Sequence, residues 1–441
     1  MVELCNTHGS FLLIIIGVYM QFFKAYNYVL AQVGAYCLGL DKESFQTRME
    51  KAKKFGFQYC LEQANKIKKA SERALAYQSL QMWFEVTHKG RTALPIFLDW
   101  CSSGISLISA LTRCVIGMES CGVFNIASAG NFYKLMADEL NSELGTDFTR
   151  GTCKPFTIPF YYGGDKNVKD ALGENAEVFH KIYAKLVPGG YEFRAKTIES
   201  WNEKAYYYAW TLPNGYEVEI PVLQDPVLQT VDIGEEMSLK CSFKLQGPRP
   251  TYLEGKNGEL YRNNHTKGNG ANIIHSVDAF VLEEMHGMAH MPKARAFEIL
   301  YKSTITSEAT SFGDRFNGWD IPELARIFQA WKDTNYPSIM WFYLLADCEG
   351  IQLPPELYSQ LVQLANRLPE EEFNIISIHD EFGCLPTYVN DMRKNANTIY
   401  ANIYRSNMLD YFNRVFKMDI TVNPFSQDIY DKLLEVDYLL S

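Results

Sequence analysis

Ala93-Leu-Pro-Ile-Phe-Leu-Asp99 and, far downstream, Asn374-Ile-Ile-Ser-Ile-His-Asp380 are two short apolar runs, each of which ends in an aspartate. Runs this brief, bounded by polar residues, suit buried strands rather than helices. Two such strands lying side by side bring both carboxylates to one end of a sheet. A pair of carboxylates held that way is the donor set of a two-metal site.

The segments around these runs read differently. Residues 43–98 carry mixed charge and helical spacing of apolar residues, with a lysine-rich stretch from Lys51 to Lys69 and few Gly or Pro breakers, which predicts helices. Residues 205–262 are rich in Tyr, Val, Thr, Pro and Gly, with turn sequences at Pro213-Asn-Gly215 and Gly247-Pro248, which predicts extended hairpins. Pro322 to Leu368 returns to a helical pattern. The expected class is α+β, mostly helical, with a small antiparallel sheet carrying the two aspartates. No internal repeat, low-complexity tract or long linker stands out.

With 441 residues, 47% hydrophobic and 14% aromatic, the chain can bury a sizeable core in two or three subdomains. Its 42 Lys+Arg against 52 Asp+Glu give a net charge of −10, which argues against a general nucleic-acid coat. Any nucleic-acid site has to be a local basic channel. The 10 cysteines are scattered, with no CxxC pair and no Cys/His cluster at zinc spacing, so reduced thiols are expected and structural zinc is not. The apolar run Phe11-Leu-Leu-Ile-Ile-Ile-Gly-Val-Tyr-Met20 is too short to span a bilayer and has an acidic residue upstream, so it reads as a buried element rather than a membrane or signal segment.

Arg150-Gly-Thr-Cys-Lys154, followed by Tyr162-Gly163, places two cations and then an aromatic along one helix face through the i, i+4 period. An isolated Arg-x-x-x-Lys pair is ordinarily two solvated surface cations. The Tyr-Gly extension, together with two strand-end acids, favours a site for a nucleoside triphosphate instead.

In order and internal spacing, Asp99, then Arg150-x-x-x-Lys154-x7-Tyr162-Gly163, then His379-Asp380 resemble motifs A, B and C of the single-subunit, bacteriophage-type RNA polymerases. Gly34-Ala-Tyr-Cys-Leu-Gly-Leu-Asp-Lys42, Trp210-Thr-Leu-Pro-Asn-Gly215, Asn272-Ile-Ile-His-Ser276 and Leu433-Leu-Glu-Val-Asp437 resemble further segments of that family, so the likeness runs from about residue 25 to the end. It implies a right-hand fold of palm and fingers: 1–110 with motif A, 111–204 with the motif B helix, 205–270 as the hairpin region, and 271–441 with the His275 segment, a helical insertion at about 286–370, motif C and a C-terminal foot. It implies DNA-directed RNA synthesis on a DNA template from ribonucleoside triphosphates, with two Mg2+ ions held by Asp99, Asp380 and the backbone carbonyl of Trp100. Lys154 would serve the α-phosphate and leaving group, Arg150 the β and γ phosphates, and Lys42 would be a second triphosphate contact. Tyr162 and His275 would meet the ribose and the minor-groove side of the base pair.

Family A DNA polymerases share the three motifs, and His379-Asp380-Glu381 is closer to their usual motif C. Gly104 argues for ribonucleotides: related DNA polymerases carry a glutamate there that blocks the 2′-OH, and glycine leaves room for it. The run Asp99-Trp-Cys-Ser-Ser-Gly-Ile105, followed by Ser109-Ala110, also resembles the RNA polymerase form.

Several features depart from the family. The Asp-x-x-Gly-Arg motif, the N-terminal domain and the thumb that precede the region of likeness are missing from this sequence. The arrangement resembles the heterodimeric RNA polymerase of some lytic podophages, which implies a smaller partner subunit, a phage single-stranded-DNA-binding protein at promoters, and the cytoplasm of an infected bacterial host. Asn167 stands where the family often has an aromatic beside the template base. The stretch from about Val222 to Gly255 occupies the place of a promoter-specificity loop, yet Lys240, Lys244, Arg249 and Lys256 are its only nearby cations. The rival readings are a family A DNA polymerase and a non-catalytic, polymerase-like DNA-binding subunit.

Overall fold

The computed structural model describes residues 23–124, 132–224, 227–234, 237–255, 257–305, 321–348 and 350–440. The apolar run Phe11–Met20 lies outside them, as do Lys256 and residues 306–320 of the expected insertion. The described chain is mostly helical with small, chiefly antiparallel sheets, the α+β class expected.

The helix Ala25–Leu38 is buried from Tyr28 to Ala35 without a polar face, the mark of a core helix. Its Gly34 lies hard against the next helix, where an added Cβ would come 2.4 Å from the Arg48 carbonyl oxygen. That helix, Phe45–Lys66, is N-capped by Ser44, whose Oγ accepts from the Thr47 N–H. The helical pattern expected over 43–98 is interrupted at Gly56, which sits at φ 78°, and ends with the helix Ala70–Lys89. Buried Arg48 donates from Nε to the Glu43 carbonyl at 2.8 Å and also to the Asp41 carbonyl at 2.6 Å. This fixes the loop that carries Lys42.

The central sheet has three strands, ordered Ile96–Asp99, Glu381–Cys384, Ile375–Ile378. The two aspartate-terminated runs are therefore not neighbours, as the sequence suggested. His379 and Asp380 make the turn of a tight hairpin, with His379 at φ 57°, so Ile375–Ile378 pairs with the strand that follows it. Only the other edge of Glu381–Cys384 is left for the first run, with Asp99 opposite Glu381. The Trp100 N–H then donates to the Asp380 carbonyl at 3.0 Å. Both aspartates still reach the same end of the sheet. The first strand starts only at Ile96, because Pro95 has no N–H to give a ladder.

The helix Ser103–Leu111 leaves the Asp99 strand and is buried from Gly104 to Leu111. Tyr400, on the helix Val389–Arg405, donates its hydroxyl to the Ser106 carbonyl at 2.9 Å. The C-terminal segment closes beneath the same strand: the Cys101 N–H donates to the Leu439 carbonyl at 2.9 Å, and Arg393 pairs with Asp437 at 3.2 Å.

Three antiparallel hairpins fill the region predicted for them: Tyr207–Thr211 with Glu217–Pro221, Val227–Gly234 with Met237–Phe243, and Tyr252–Glu254 with Leu260–Arg262. The first turns at Pro213-Asn-Gly215, closed by the Gly215 N–H on the Leu212 carbonyl at 2.8 Å. Gly247 makes no turn between strands but bonds to the Val222 carbonyl at 2.9 Å, at the base of the second hairpin. The long helix Asn269–Ala289 follows. Beyond it lie the helices Lys293–Lys302, Pro322–Thr334, Met340–Leu345 and Pro355–Arg367.

Among the described residues, the cysteines Cys37, Cys60, Cys101, Cys114, Cys121, Cys153, Cys241, Cys348 and Cys384 are free. No helix there is long and apolar enough to cross a membrane.

Candidate functional site

The largest cavity, about 490 Å³, opens above the end of the central sheet where Asp99 and Asp380 lie. Of the sequence-predicted residues, Asp99, Trp100, Lys42, Arg150, Lys154, Tyr162, His275 and Asp380 all line it. Gly104 does not; it is buried directly behind the lining.

Asp99 is open to the cleft yet has protein on most sides, and its carboxyl is raised to about 6. Burial is the larger cause and the negative charge of Asp380 the next, with Lys42 and Lys154 pulling the other way. Like charges held together in a partly dried site favour a cation between them. Among the described residues no group of three or more His, Cys, Asp or Glu side chains gathers at metal-binding geometry. Magnesium characteristically takes one or two carboxylates and completes its shell from water and phosphate, so the Asp99–Asp380 pair fits it.

Arg150 opens the helix Arg150–Tyr161, where a capping box joins Thr149 and Thr152. Arg150, Lys154, Ile158, Tyr161 and Tyr162 face the cavity, the face the i, i+4 spacing predicted. A helix N-terminus carrying two cations is an anion-binding end. Two prolines, Pro155 and Pro159, sit inside this helix, and each removes an N–H from the ladder. Pro159 leaves the Pro155 carbonyl without its helical donor, and Asn167 Nδ2 supplies one at 3.3 Å. That contact gives Asn167 a local structural use. The far end of the helix is held by Arg194, which donates from Nε to the Phe160 carbonyl at 2.7 Å and pairs with Asp165.

His275 projects from the helix Asn269–Ala289 and stacks on Tyr162, with ring centroids 5.0 Å apart and planes at 26°. Burial lowers its pKa, which favours the neutral ring. One turn on, Asp278 lies 4.0 Å from His275, and its carboxyl is raised to about 7, by burial first and then by Asp380. Lys42 pairs with Asp41 at 3.2 Å at the rim.

Sequence reasoning missed three residues of the cleft wall. Asp278 was findable, since it stands three residues after His275 and so on the same helix face. Tyr161 adjoins Tyr162 but falls outside the i, i+4 series. Tyr133 left no trace in the sequence: it belongs to a different helix, Phe132–Leu144, and lies under the cations, with Lys154 Nζ 5.6 Å and the Arg150 guanidinium 6.0 Å from its ring centroid.

The structure also changes the reason for glycine at 104. The space beside Gly104 is occupied: an added Cβ would meet Tyr161 Cε2 at 2.9 Å and the Tyr162 hydroxyl at 3.0 Å. Glycine there seats the two tyrosines rather than leaving a hole open to the cleft.

The chain matches no protein-family model and no curated protein.

Proposed function

We propose that the chain is the catalytic subunit of a DNA-directed RNA polymerase of the single-subunit, bacteriophage type, with the central sheet as its palm and the Arg150–Tyr161 helix in its fingers. The observation that carries this reading is one cleft lined by two coupled strand-end carboxylates, a two-cation helix face opposite them and a tyrosine stacked on a histidine.

Bound Mg2+ would lower the pKa of a primer 3′-hydroxyl and offset charge on the departing pyrophosphate. Asp99 and Asp380 would hold it, with the Trp100 carbonyl as a further oxygen donor. Lys154 would offset charge at the α-phosphate and donate a proton to the leaving group, which a lysine does better than an arginine. Arg150 would grip the β and γ phosphates bidentately, and Lys42 would reach the triphosphate from the opposite rim. Tyr162, stacked on neutral His275, would present its hydroxyl to the ribose 2′-OH.

A DNA template, nascent RNA and a smaller subunit that carries the Asp-x-x-Gly-Arg motif and thumb are the partners this reading requires. A phage single-stranded-DNA-binding protein would bring the enzyme to its promoters in the infected cell. The exposed hairpin Val227–Phe243 would lie where the family reads promoters.

Extension of an RNA primer on a DNA template, with ribo- and deoxynucleotides compared in Mg2+, tests the proposal. Magnesium-dependent addition of ribonucleotides is the expected result. Preferential addition of deoxynucleotides would favour a DNA polymerase, and addition of neither, with the co-purifying subunit present, would leave a non-catalytic DNA-binding subunit.

A further inference from the structure

Tyr161 has no part in the chemistry just described, yet three observations converge on it. It is buried at the end of the Arg150–Tyr161 helix, with an exposure of 6%, while its side chain still borders the cleft. Its ring lies against the bare face of Gly104, where an added Cβ would meet Cε2 at 2.9 Å and the hydroxyl at 3.3 Å. Its ring centroid is 4.2 Å from that of Tyr162, and its hydroxyl interacts with those of both Tyr162 and Tyr133.

A phenol has one proton to donate and can accept on its oxygen. When Tyr161 donates to Tyr162, the Tyr162 oxygen is satisfied by its neighbour and its own proton is left to point into the cleft. Tyr133 closes the other end of the chain, beneath the Arg150 and Lys154 cations. In a partly dried site such a chain fixes hydroxyl orientation more firmly than a single bond does.

Resting on the polymerase reading above, we infer that Tyr161 is a positioning residue for ribose selection, holding the Tyr162 hydroxyl as a donor toward the 2′-OH of an incoming ribonucleotide. Gly104, Tyr161 and Tyr162 then form one device: the glycine admits the ring of Tyr161, and the hydroxyl of Tyr161 aims Tyr162. Tyr161 itself touches no reacting atom. Its effect appears in which sugar is chosen, not in the rate of the transfer step.

The test uses the full chain with its co-purifying subunit and measures kcat/KM for one ribonucleotide and its deoxy counterpart in Mg2+. Tyr161→Phe keeps the ring on Gly104 and removes the hydroxyl. The expected result is a ribose preference lowered by about two- to tenfold, the worth of one hydrogen bond, with kcat for the ribonucleotide and the melting temperature close to the parent. Tyr133→Phe, at the far end of the chain, is expected to lower the preference in the same direction by less. It also serves as the second variant if Tyr161→Phe folds poorly. Equal losses for both sugars, or an unchanged preference in both variants, would overturn the positioning role while leaving the polymerase reading intact. A parent enzyme that adds no ribonucleotides would overturn both.

Discussion

Tyr162 meets a different chemistry on each side: the bare backbone of Gly104, the neighbouring Tyr161 and the stacked ring of His275. Its hydroxyl is the group placed to distinguish sugars, so Tyr162→Phe is expected to lose ribose preference by about tenfold while keeping magnesium-dependent extension. Competition between ribo- and deoxynucleotides in primer extension measures it, and a mutant as selective as the parent would remove Tyr162 from that role. Gly104→Ala has no free space to enter. The Tyr161 ring has to yield by several tenths of an ångström, at about 1–3 kcal/mol of overpacking, read from denaturant unfolding, and with lower ribose preference as the functional consequence.

At the scale of elements, the two aspartate-ended apolar runs were legible as strands because a short run with alternating burial has few other uses. Their order in the sheet was not. It depends on the tight turn at His379-Asp380, which inserts the Glu381–Cys384 strand between them. The basic helix was legible from its i, i+4 spacing despite two internal prolines, whose cost is met by the Thr149–Thr152 cap and by Asn167 rather than by anything visible in the pattern. Tyr133 stayed hidden because only tertiary packing lays the helix Phe132–Leu144 under the cations.

The helices beyond Asn269–Ala289 are tied to it through fully buried Glu284, which accepts from the Ser338 hydroxyl, the Ile339 N–H at 3.1 Å and the Tyr336 hydroxyl at 3.4 Å. Burial raises this carboxyl from an ordinary 4.5 to about 7. A raised acid binds its proton in the native state when the unfolded chain has already released it. Its contribution to stability is therefore complete below about pH 4.5 and is lost as pH rises through 7. Glu284→Gln is expected to flatten that decline by an amount on the order of 2 kcal/mol. Urea unfolding of parent and variant at pH 5 and pH 7.5 gives the comparison. Parallel pH profiles would place the titration elsewhere.

Over the whole molecule, a net charge of −10 coexists with a cleft whose rim carries Lys42, Arg150 and Lys154 facing two carboxylates. The surplus acid lies elsewhere on the surface, so the sequence average concealed a local basic groove of the size a nucleotide needs. The helical mass of the fold serves this groove. One long core helix backs the sheet, the Arg150–Tyr161 helix supplies the cations, and the Asn269–Ala289 helix brings His275 and Asp278. The central claim is that Asp99 and Asp380 together hold the ions for nucleotide transfer. The direct measurement is ribonucleotide addition by Asp99→Asn and Asp380→Asn in Mg2+, alongside binding of a primed template by the same proteins. Each single change is expected to lower addition by about a thousandfold or more, roughly 4 kcal/mol of barrier, with template binding retained. Substantial residual synthesis by either variant would contradict the account.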